Sequence, residues 1–219
     1  MGEAVPPTDP PRTRRAREGT AQRREEILRA AASTFGSKGY NNGSLVDVAE
    51  QVGITHAGVL HHFGTKERLL TEVLTFRDRE QVAELEGHTI PGGMELFRHL
   101  IHTARLNAER PGFVQTYTVL TGEAVTDGHP ARGWAIDRFA VLRGQIADAL
   151  AVLAPDIDRA LAEQAASAVI GVMDGLQIQW LLTPDEVDLP ESTTFAIEAI
   201  VAAALAGPAR PTPVPPPDN

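Results

Sequence analysis

Proline is concentrated at the two ends of the chain, and this distribution limits what the interior can fold into. Of 16 prolines, four lie within residues 1–11 and six within residues 208–217. The others stand at the edges of long segments with helical periodicity, where a first helical turn or the residue after a helix tolerates proline. These interior prolines are Pro91, Pro111, Pro130, Pro155, Pro184 and Pro190. The ends are therefore expected to be extended or disordered tails, and the interior a series of uninterrupted helices.

The segments between these prolines predict an all-α fold. Ala and Leu dominate them, and no segment shows the alternating β-branched pattern of a strand bounded by tight turns. About nine helices are predicted, spanning residues 20–37, 44–52, 55–62, 65–86, 92–109, 111–126, 130–153, 157–183 and 190–206. Because 42% of the residues are hydrophobic, the chain can also bury a sizeable core.

Charge is distributed unevenly along the chain. The formal net charge of −9 argues against nucleic acid as a partner, because neutralising phosphates requires a basic surface. However, residues 1–70 carry 10 basic and 8 acidic side chains, whereas residues 71–219 carry 10 basic and 21 acidic ones. Only the first third of the chain is therefore suited to face a polyanion.

The chain lacks the marks of a secreted or membrane protein. It contains no cysteine, which excludes a disulfide framework, a thiolate metal site and a cysteine nucleophile. No apolar run approaches the roughly 18–20 uninterrupted residues of a membrane span, and residues 1–11 are polar and proline-rich where a signal peptide would be apolar. We therefore expect a cytoplasmic protein with no membrane partner.

Two short helices near the N-terminus predict a helix-turn-helix. Ser44 and Asp47 form a capping-box pattern at the first helix, and Thr55 caps the second after a turn of only Gly53 and Ile54. In a helix-turn-helix, apolar contacts hold the second helix while its outer face approaches base edges in the major groove. The alternative is an ordinary helical hairpin, which would not need an eight-residue helix that carries three histidines next to a glycine.

Residues 23–70 resemble the DNA-binding domain of the TetR family of transcriptional regulators. The resemblance covers about a fifth of the chain, and spacing and residue type agree at more than a dozen positions. The recognition helix departs from the usual aromatic Leu-Tyr pair and is similar to a subgroup with a Leu-Leu-His-His-Phe pattern. The matching residues are Phe35, Gly39-Tyr40, Ser44, Val48-Ala49, Val52-Gly53-Ile54, Thr55, His62-Phe63, Thr65-Lys66-Glu67 and Leu69-Leu70.

The resemblance implies which residues contact DNA. Hydroxyls, helix N-termini and cations position a protein on phosphates, whereas small side chains permit contact with a thymine methyl group. The residues implied to contact phosphates are Ser44, Thr55, His61 and Lys66. Those implied to approach base edges are His56, Ala57 and Gly58. His62 and Phe63 are interpreted as packing residues between the recognition helix and the next helix.

The acidic remainder of the chain is predicted to be a helical bundle. In the resembled family this region binds a small-molecule effector and forms the homodimer, typically through its last two helices. Both of these helices carry small and apolar residues suited to close packing, although a core within one chain would look the same. These residues are Leu161, Ala165, Ala168, Val169, Val172 and Leu176 in the first, and Phe195, Ala199, Ile200, Ala203 and Ala204 in the second.

Candidate ligand contacts are polar or aromatic groups that interrupt apolar helix faces, because a pocket is mostly apolar with a few placed polar atoms. They are His102, Phe113, Tyr117, Arg138, Asp174, Gln177 and Trp180. Glu95, His99 and His102 also share a helix face with metal-ligand chemistry, but this pattern is common at the wet edge of a helix. No metal or cofactor is therefore included in the prediction.

Together these patterns predict four regions: a tail (1–19), a helix-turn-helix domain (20–70), a ligand-binding and dimerisation domain (71–206) and a second tail (207–219). The predicted function is a ligand-responsive transcriptional repressor that binds a palindromic operator as a dimer and is released by a small molecule. The alternative is a helical-bundle binding protein or enzyme without specific DNA binding. Against an enzyme, the chain has no phosphate loop, nucleophile elbow or His-Glu-x-x-His site.

Overall fold

A computed structural model of the chain describes residues 12–83 and 90–207, with side chains from residues 19 to 80 and from residue 90 onward. Within these ranges there are nine helices and no strand, as the sequence predicts. They are α1 (Arg12–Asn42), α2 (Leu45–Gln51), α3 (His56–Phe63), α4 (Lys66–Ala83), α5 (Gly93–Ala108), α6 (Pro111–Glu123), α7 (Arg132–Leu153), α8 (Arg159–Leu182) and α9 (Leu189–Ala206).

The two ends of the chain are only partly covered by this description. Helix α1 begins at Arg12 rather than at residue 20, so residues 12–19 of the predicted tail are helical. The predictions for residues 1–11, for residues 208–219 and for the end of the fourth helix at residues 84–86 lie outside the described residues.

Helix α1 extends past the predicted end at residue 37 because the two glycines of its last turns, Gly36 and Gly39, have different roles. Gly36 lies within the helix, whereas Gly39 has φ 72° and ψ 170° and breaks the helical geometry. An added Cβ at Gly36 would lie 2.5 Å from Thr116 Oγ1 and 3.0 Å from Thr116 Cα, so glycine permits α6 to pass close to α1 here. The Thr116 hydroxyl donates to the Ala32 carbonyl of α1 at 3.0 Å.

The helix starts in the first domain follow the predicted capping chemistry. The Ser44 hydroxyl accepts from the Asp47 amide at 3.0 Å, and the Asp47 carboxylate accepts from the Ser44 amide at 3.2 Å. The Lys38 ammonium, 3.0 Å from Asp47, and these hydrogen bonds lower the pKa of the Asp47 carboxyl. The Thr55 hydroxyl accepts from the Gly58 amide at 3.1 Å at the start of α3. Both caps are local, which explains why the sequence located these starts to within a residue.

Three apolar clusters hold the helices together. The first joins α1–α4 to α6 and to the start of α7, through fully buried side chains such as Phe35, Leu70 and Leu120. The second joins α5, α7, α8 and α9, with Leu150 and Ile197 at its centre. The third is a small cluster of α6, α8 and α9. Residue 70, where the sequence analysis divides the chain, lies within α4, so both predicted domains share this helix.

Helices α8 and α9 are the most apolar long helices of the described bundle by composition. Among the described residues, these two are long and apolar enough to cross a membrane by length and composition, each with a mean hydropathy of 1.3 over 18 residues. Both also contribute to the second and third apolar clusters of the bundle. A core helix of a soluble protein passes the same test, so the composition of α8 and α9 is weak evidence for a membrane.

Candidate DNA-reading surface and effector cavity

Helix α3 presents one face to solvent and one to the core. Val59 and Phe63 are buried against the first cluster, whereas His56, Ala57 and His61 are exposed. These exposed side chains are small or can donate hydrogen bonds, and nothing on the described surface covers them. This face is therefore available to approach the edges of base pairs.

Arginines of α1 fix α3 from behind. The Arg24 guanidinium donates to the His62 carbonyl at 2.6 Å, pairs with Glu72 of α4 and lies 4.3 Å from the centre of the Phe63 ring. Arg23 donates to the carbonyl of Val52, the C-cap residue of α2, at 3.1 Å. These two arginines therefore orient the reading helix.

The other predicted phosphate contacts surround α3. Ser44 is half-buried at the start of α2 and Thr55 is exposed at the start of α3. Each hydroxyl accepts a backbone hydrogen bond as a cap, so its own proton stays available to a phosphate oxygen. Lys66 is half-buried, and its ammonium donates to the Asn41 carbonyl at 3.3 Å and lies 4.5 Å above the Tyr40 ring.

The sequence analysis missed Arg68 as a cation on this surface. Arg68 is exposed in the first turn of α4, and its guanidinium lies beside Gly64, at the C-terminal end of α3. A basic residue two positions after Lys66 in the first turn of the helix that follows the recognition helix is a signal that could have identified it.

A cavity of about 390 Å³ lies between α4, α5, α6, α7 and α8. The surface of its wall is mostly apolar, and its volume is within the range of pockets for small molecules. The polar and aromatic residues that line it are Arg77, Asp78, His99, Thr103, Asn107, Tyr117, Trp134, Asp137, Arg138, Gln145, Asp174 and Gln177.

The cavity contains four of the seven residues predicted to contact a ligand. These four are Tyr117, Arg138, Asp174 and Gln177. The other three lie elsewhere. His102 is exposed on the outer face of α5, Trp180 is buried in the third apolar cluster, and Phe113 packs behind the wall with its ring 4.5 Å from the Arg77 guanidinium.

The inner wall contains two guanidinium groups on the same aromatic ring. Arg77 and Arg138 lie 4.2 and 5.3 Å from the centre of the Tyr117 ring. Arg138 donates to Asp78 at 2.6 Å, and the Trp134 indole donates to the other Asp78 oxygen at 3.2 Å. The Asp78 carboxylate is therefore satisfied by Arg138 and Trp134.

Arg77 has no such partner. It is 4% exposed, and its Nε and Nη1 atoms make no hydrogen bond to any described residue. The nearest carboxylate oxygen, on Asp78, lies 3.7 Å from Nη1. Burial and the neighbouring Arg138 charge lower the pKa of the Arg77 guanidinium to about 10, so it remains charged at neutral pH.

Burial also shifts the pKa of two further groups of the wall, Asp174 and His99. It raises the pKa of the Asp174 carboxyl, which accepts from the Tyr117 hydroxyl at 3.4 Å, and so favours its neutral form. Burial and the nearby His102 lower the pKa of His99, which favours the uncharged imidazole. Both shifts reduce the charge that these groups present to a ligand.

Arg77, Asp78, His99 and Gln145 were absent from the sequence-predicted ligand contacts. Arg77 follows Val73 and Leu74 at helical spacing, so it continues the buried stripe of α4. A charged residue in register with an apolar stripe was the available signal for it. His99 lies on the inner face of α5, whereas His102 lies on the outer face, and the pattern of α5 did not distinguish them.

Glu95, His99 and His102 of α5 share a helix face in the sequence but form no grouped metal site in the described structure. Among residues whose side chains are described, no three His, Asp or Glu side chains are grouped to hold a metal ion. Glu95 pairs with Arg98 instead.

The DNA-reading helices are joined to α6 through the end of α1. The Tyr40 amide donates to a carboxylate oxygen of Glu123 at 2.8 Å, and a Cβ at Gly39 would overlap that carboxylate. His129 is buried beside Glu123, with its Nε2 atom 3.7 Å from the carboxylate and its ring against Tyr40. The Tyr40 hydroxyl donates to Glu67 of α4 at 3.1 Å. The hydrogen bond from the Tyr40 amide to Glu123, here named the Tyr40–Glu123 latch, joins the DNA-reading helices to the helical bundle.

Comparison with known proteins identifies the family. Residues 27–73 match the model described as bacterial regulatory proteins, tetR family. The transcriptional regulator TtgR of Pseudomonas putida is 30% identical over 196 residues, which are 80% of this chain and 88% of TtgR. The chain belongs to the TetR family. Members of the TetR family are transcriptional regulators, so the alternative of an enzyme or binding protein without DNA is set aside.

Solved structures of TetR-family regulators share this fold. TylP of Streptomyces fradiae is 26% identical, with a TM-score of 0.65 over 86% of this chain and 89% of TylP. SmeT, the repressor of the Stenotrophomonas maltophilia multidrug efflux pump SmeDEF, has also been solved in complex with triclosan. In that complex SmeT is 18% identical, with a TM-score of 0.63 over 89% of this chain and 100% of SmeT. TetR-family regulators are soluble DNA-binding proteins, which accounts for α8 and α9 as helices of a bundle rather than membrane spans.

Proposed function

We propose that this regulator is a cytoplasmic, dimeric repressor that binds a near-palindromic operator through α3 and is released when a small molecule occupies the cavity. In this proposal residues 20–70 bind DNA, and residues 71–206 bind the ligand and form the dimer. SmeT in complex with triclosan shows that a protein of this fold can bind a small aromatic molecule.

The observation that carries the proposal is the position of α4. This helix begins at Lys66 against the DNA-reading helices, and Leu69 and Leu70 pack in their core. Eleven residues after Lys66, about 16 Å further along the helix, Arg77 and Asp78 form part of the cavity wall. A ligand that displaces this wall displaces a rigid helix whose other end supports α3. Release requires only that the ligand binds the two positions of α4 with different affinities.

For the operator, we assign phosphate contacts to Ser44, Thr55, His61 and Lys66, and base-edge contacts to His56, Ala57 and Gly58. The exposure of Thr55, His56, Ala57 and His61 supports this assignment. We add Arg68 as a phosphate contact, because it is exposed in the first turn of α4 and lies next to the C-terminal end of α3.

For the dimer, we assign the outer faces of α8 and α9. Phe195 is 76% exposed and Leu182 is 75% exposed, and exposed large apolar side chains of this kind mark a surface that a partner covers. Three residues of the predicted face do not belong to this surface. Ala165, Val169 and Ala204 are buried in the second apolar cluster of the same chain. The surface that remains for a partner includes Ala168 and Phe195.

The test is binding to DNA fragments from around the protein's own gene, measured by fluorescence anisotropy at about 50 and about 200 mM salt. A repressor gives a discrete complex whose affinity falls steeply with salt, by about 10³-fold if six phosphates are contacted. The variant Ala57→Glu places a carboxylate on the reading face and is expected to weaken binding at least about 100-fold. The control Val125→Glu adds the same charge at an exposed site after α6. Equal loss in both variants, or no specific fragment bound, overturns the proposal.

A further inference from the structure

We propose that the effector is an acidic aromatic molecule, and that its carboxylate binds Arg77 at the inner wall of the cavity. This inference rests on the proposed function, because it takes the cavity as the effector site. It adds the chemical class of the ligand and the residue that selects it.

The first step is the charge balance of the wall. Of the two guanidinium groups on the Tyr117 ring, Arg138 is bound to Asp78, whose second oxygen is used by Trp134. Arg77 is more than nine-tenths buried and makes no hydrogen bond to any described residue. A buried guanidinium without an acceptor is costly, and a carboxylate satisfies its forked donors with two parallel hydrogen bonds. The cavity therefore presents a guanidinium whose nearest carboxylate oxygen, on Asp78, lies 3.7 Å away and whose Nε and Nη1 donors have no acceptor among the described residues.

The second step concerns the other titratable groups of the wall. Burial raises the pKa of the Asp174 carboxyl, and the hydrogen bond from the Tyr117 hydroxyl opposes that rise. Asp137 also lines the cavity, but its side chain is exposed to water. Burial and the nearby His102 lower the pKa of His99, which favours its uncharged imidazole. Because the Nε and Nη1 atoms of Arg77 have no acceptor among the described residues, the wall favours an anionic ligand over a cationic one.

The third step concerns the remainder of the ligand. Beyond Arg77 the wall is lined by Leu100, Ile146, Ile170 and Met173, and by the Trp134 ring. These surfaces favour a flat apolar body, and about 390 Å³ accommodates two or more fused rings. An aromatic ring that carries one carboxylate matches both the apolar wall and the cation at its inner end.

The experiment compares three probes that share one ring system and differ in one group: 2-naphthoate, 2-naphthamide and 2-naphthylmethylamine. Their affinities for the full-length protein are measured by isothermal titration calorimetry at neutral pH. The acid is expected to bind at least about tenfold more tightly than the amide, and the amine more weakly than both. An amide that binds as tightly as the acid overturns the proposal, as does tightest binding of the amine or no binding of the acid.

The variant Arg77→Met tests the residue. It is expected to reduce the acid-to-amide preference about tenfold and to leave the amide affinity within about threefold. Arg143→Met is the matched control, because Arg143 is exposed on α7, and it leaves both affinities unchanged. Arg77→Lys keeps the charge without the fork and should retain part of the preference, which keeps the test decisive if Arg77→Met does not fold. An unchanged preference in Arg77→Met overturns the assignment.

The fate of the DNA complex separates this inference from the proposed function. Where the operator complex forms but the acid does not bind, the ligand class is wrong and the repressor assignment stands. Where the acid binds through Arg77 but the DNA complex survives saturation, the ligand class stands and the proposed release is wrong.

Discussion

At the scale of single residues, Tyr40 connects the DNA-reading helices with the bundle through its amide, its hydroxyl and its ring. Its amide binds Glu123, its hydroxyl binds Glu67, and its ring packs against His129. Burial and the Glu67 carboxylate raise the pKa of the Tyr40 hydroxyl to about 12. Because the phenol donates to a carboxylate, ionisation would place two negative charges side by side.

This shift predicts a loss of stability in alkali. The folded-state pKa of Tyr40 lies above its unfolded value of about 10, so its stabilisation is complete below pH 10 and is lost as the pH rises towards 12. The variant Tyr40→Phe lacks the hydroxyl, so its free energy of unfolding at neutral pH should be about 0.5–1.5 kcal/mol lower.

Urea unfolding of both proteins at about pH 8 and about pH 11 measures this effect. We expect the advantage of Tyr40 over phenylalanine to shrink at the higher pH. Groups that titrate in both proteins, such as Tyr117, cancel in this comparison. A constant difference between the two proteins at both pH values would contradict the prediction.

At the scale of helices, the crossing of α1 and α6 sets how closely the two halves of the molecule can approach. Gly36 faces the backbone of Thr116, whose hydroxyl bridges to the Ala32 carbonyl of α1. The Tyr40–Glu123 latch lies one turn beyond this crossing. A change in the spacing of α1 and α6 therefore disturbs both contacts together.

The crossing predicts opposite effects for two glycine-to-alanine changes. In Gly36→Ala the new methyl group meets Thr116 backbone, so the helices must separate, with a cost of about 1–3 kcal/mol of unfolding free energy. In Gly122→Ala, on α6, the methyl group meets nothing within 4 Å, and the gain in helix propensity should stabilise by up to about 1 kcal/mol. Chemical denaturation of both variants measures the sign of the change in the free energy of unfolding. Destabilisation by Gly122→Ala but not by Gly36→Ala would contradict this account of the α1–α6 crossing.

At the scale of the whole molecule, the proposed dimer interface is the outer surface of α8 and α9. Apolar side chains on this surface are exposed in the single chain, and two recognition helices are needed to read a two-fold symmetric site. Separation of the partners should therefore abolish tight operator binding without altering α3.

The variant Phe195→Glu tests the assembly. A charge on the apolar face proposed for the interface is expected to convert the protein from twice the chain mass to the chain mass in light scattering after size-exclusion chromatography. Operator affinity should fall at least about 100-fold, because each half-site then binds alone. Val125→Glu is the control, since Val125 is equally exposed at 76% but lies in the loop after α6. A dimeric Phe195→Glu protein would place the interface elsewhere.

Local features of the sequence determined the nine helices, the caps at Ser44 and Thr55, and the helix-turn-helix with its family resemblance. These features depend on residues within one or two turns of each other, so the chain specifies them before it is packed. Periodicity also showed that α5 and α8 are amphipathic, but not which polar residue of each helix faces the cavity.

Only the tertiary structure decided the inner wall of that cavity. Arg77 and Arg138 meet on the ring of Tyr117, and Asp78 satisfies one of them, although these residues come from three different helices. The choice of His99 over His102, and the burial of Ala165 within the chain, likewise depend on how neighbouring helices rotate about their axes. Apolar stripes favour many such rotations almost equally, and the packing of the whole bundle selects one.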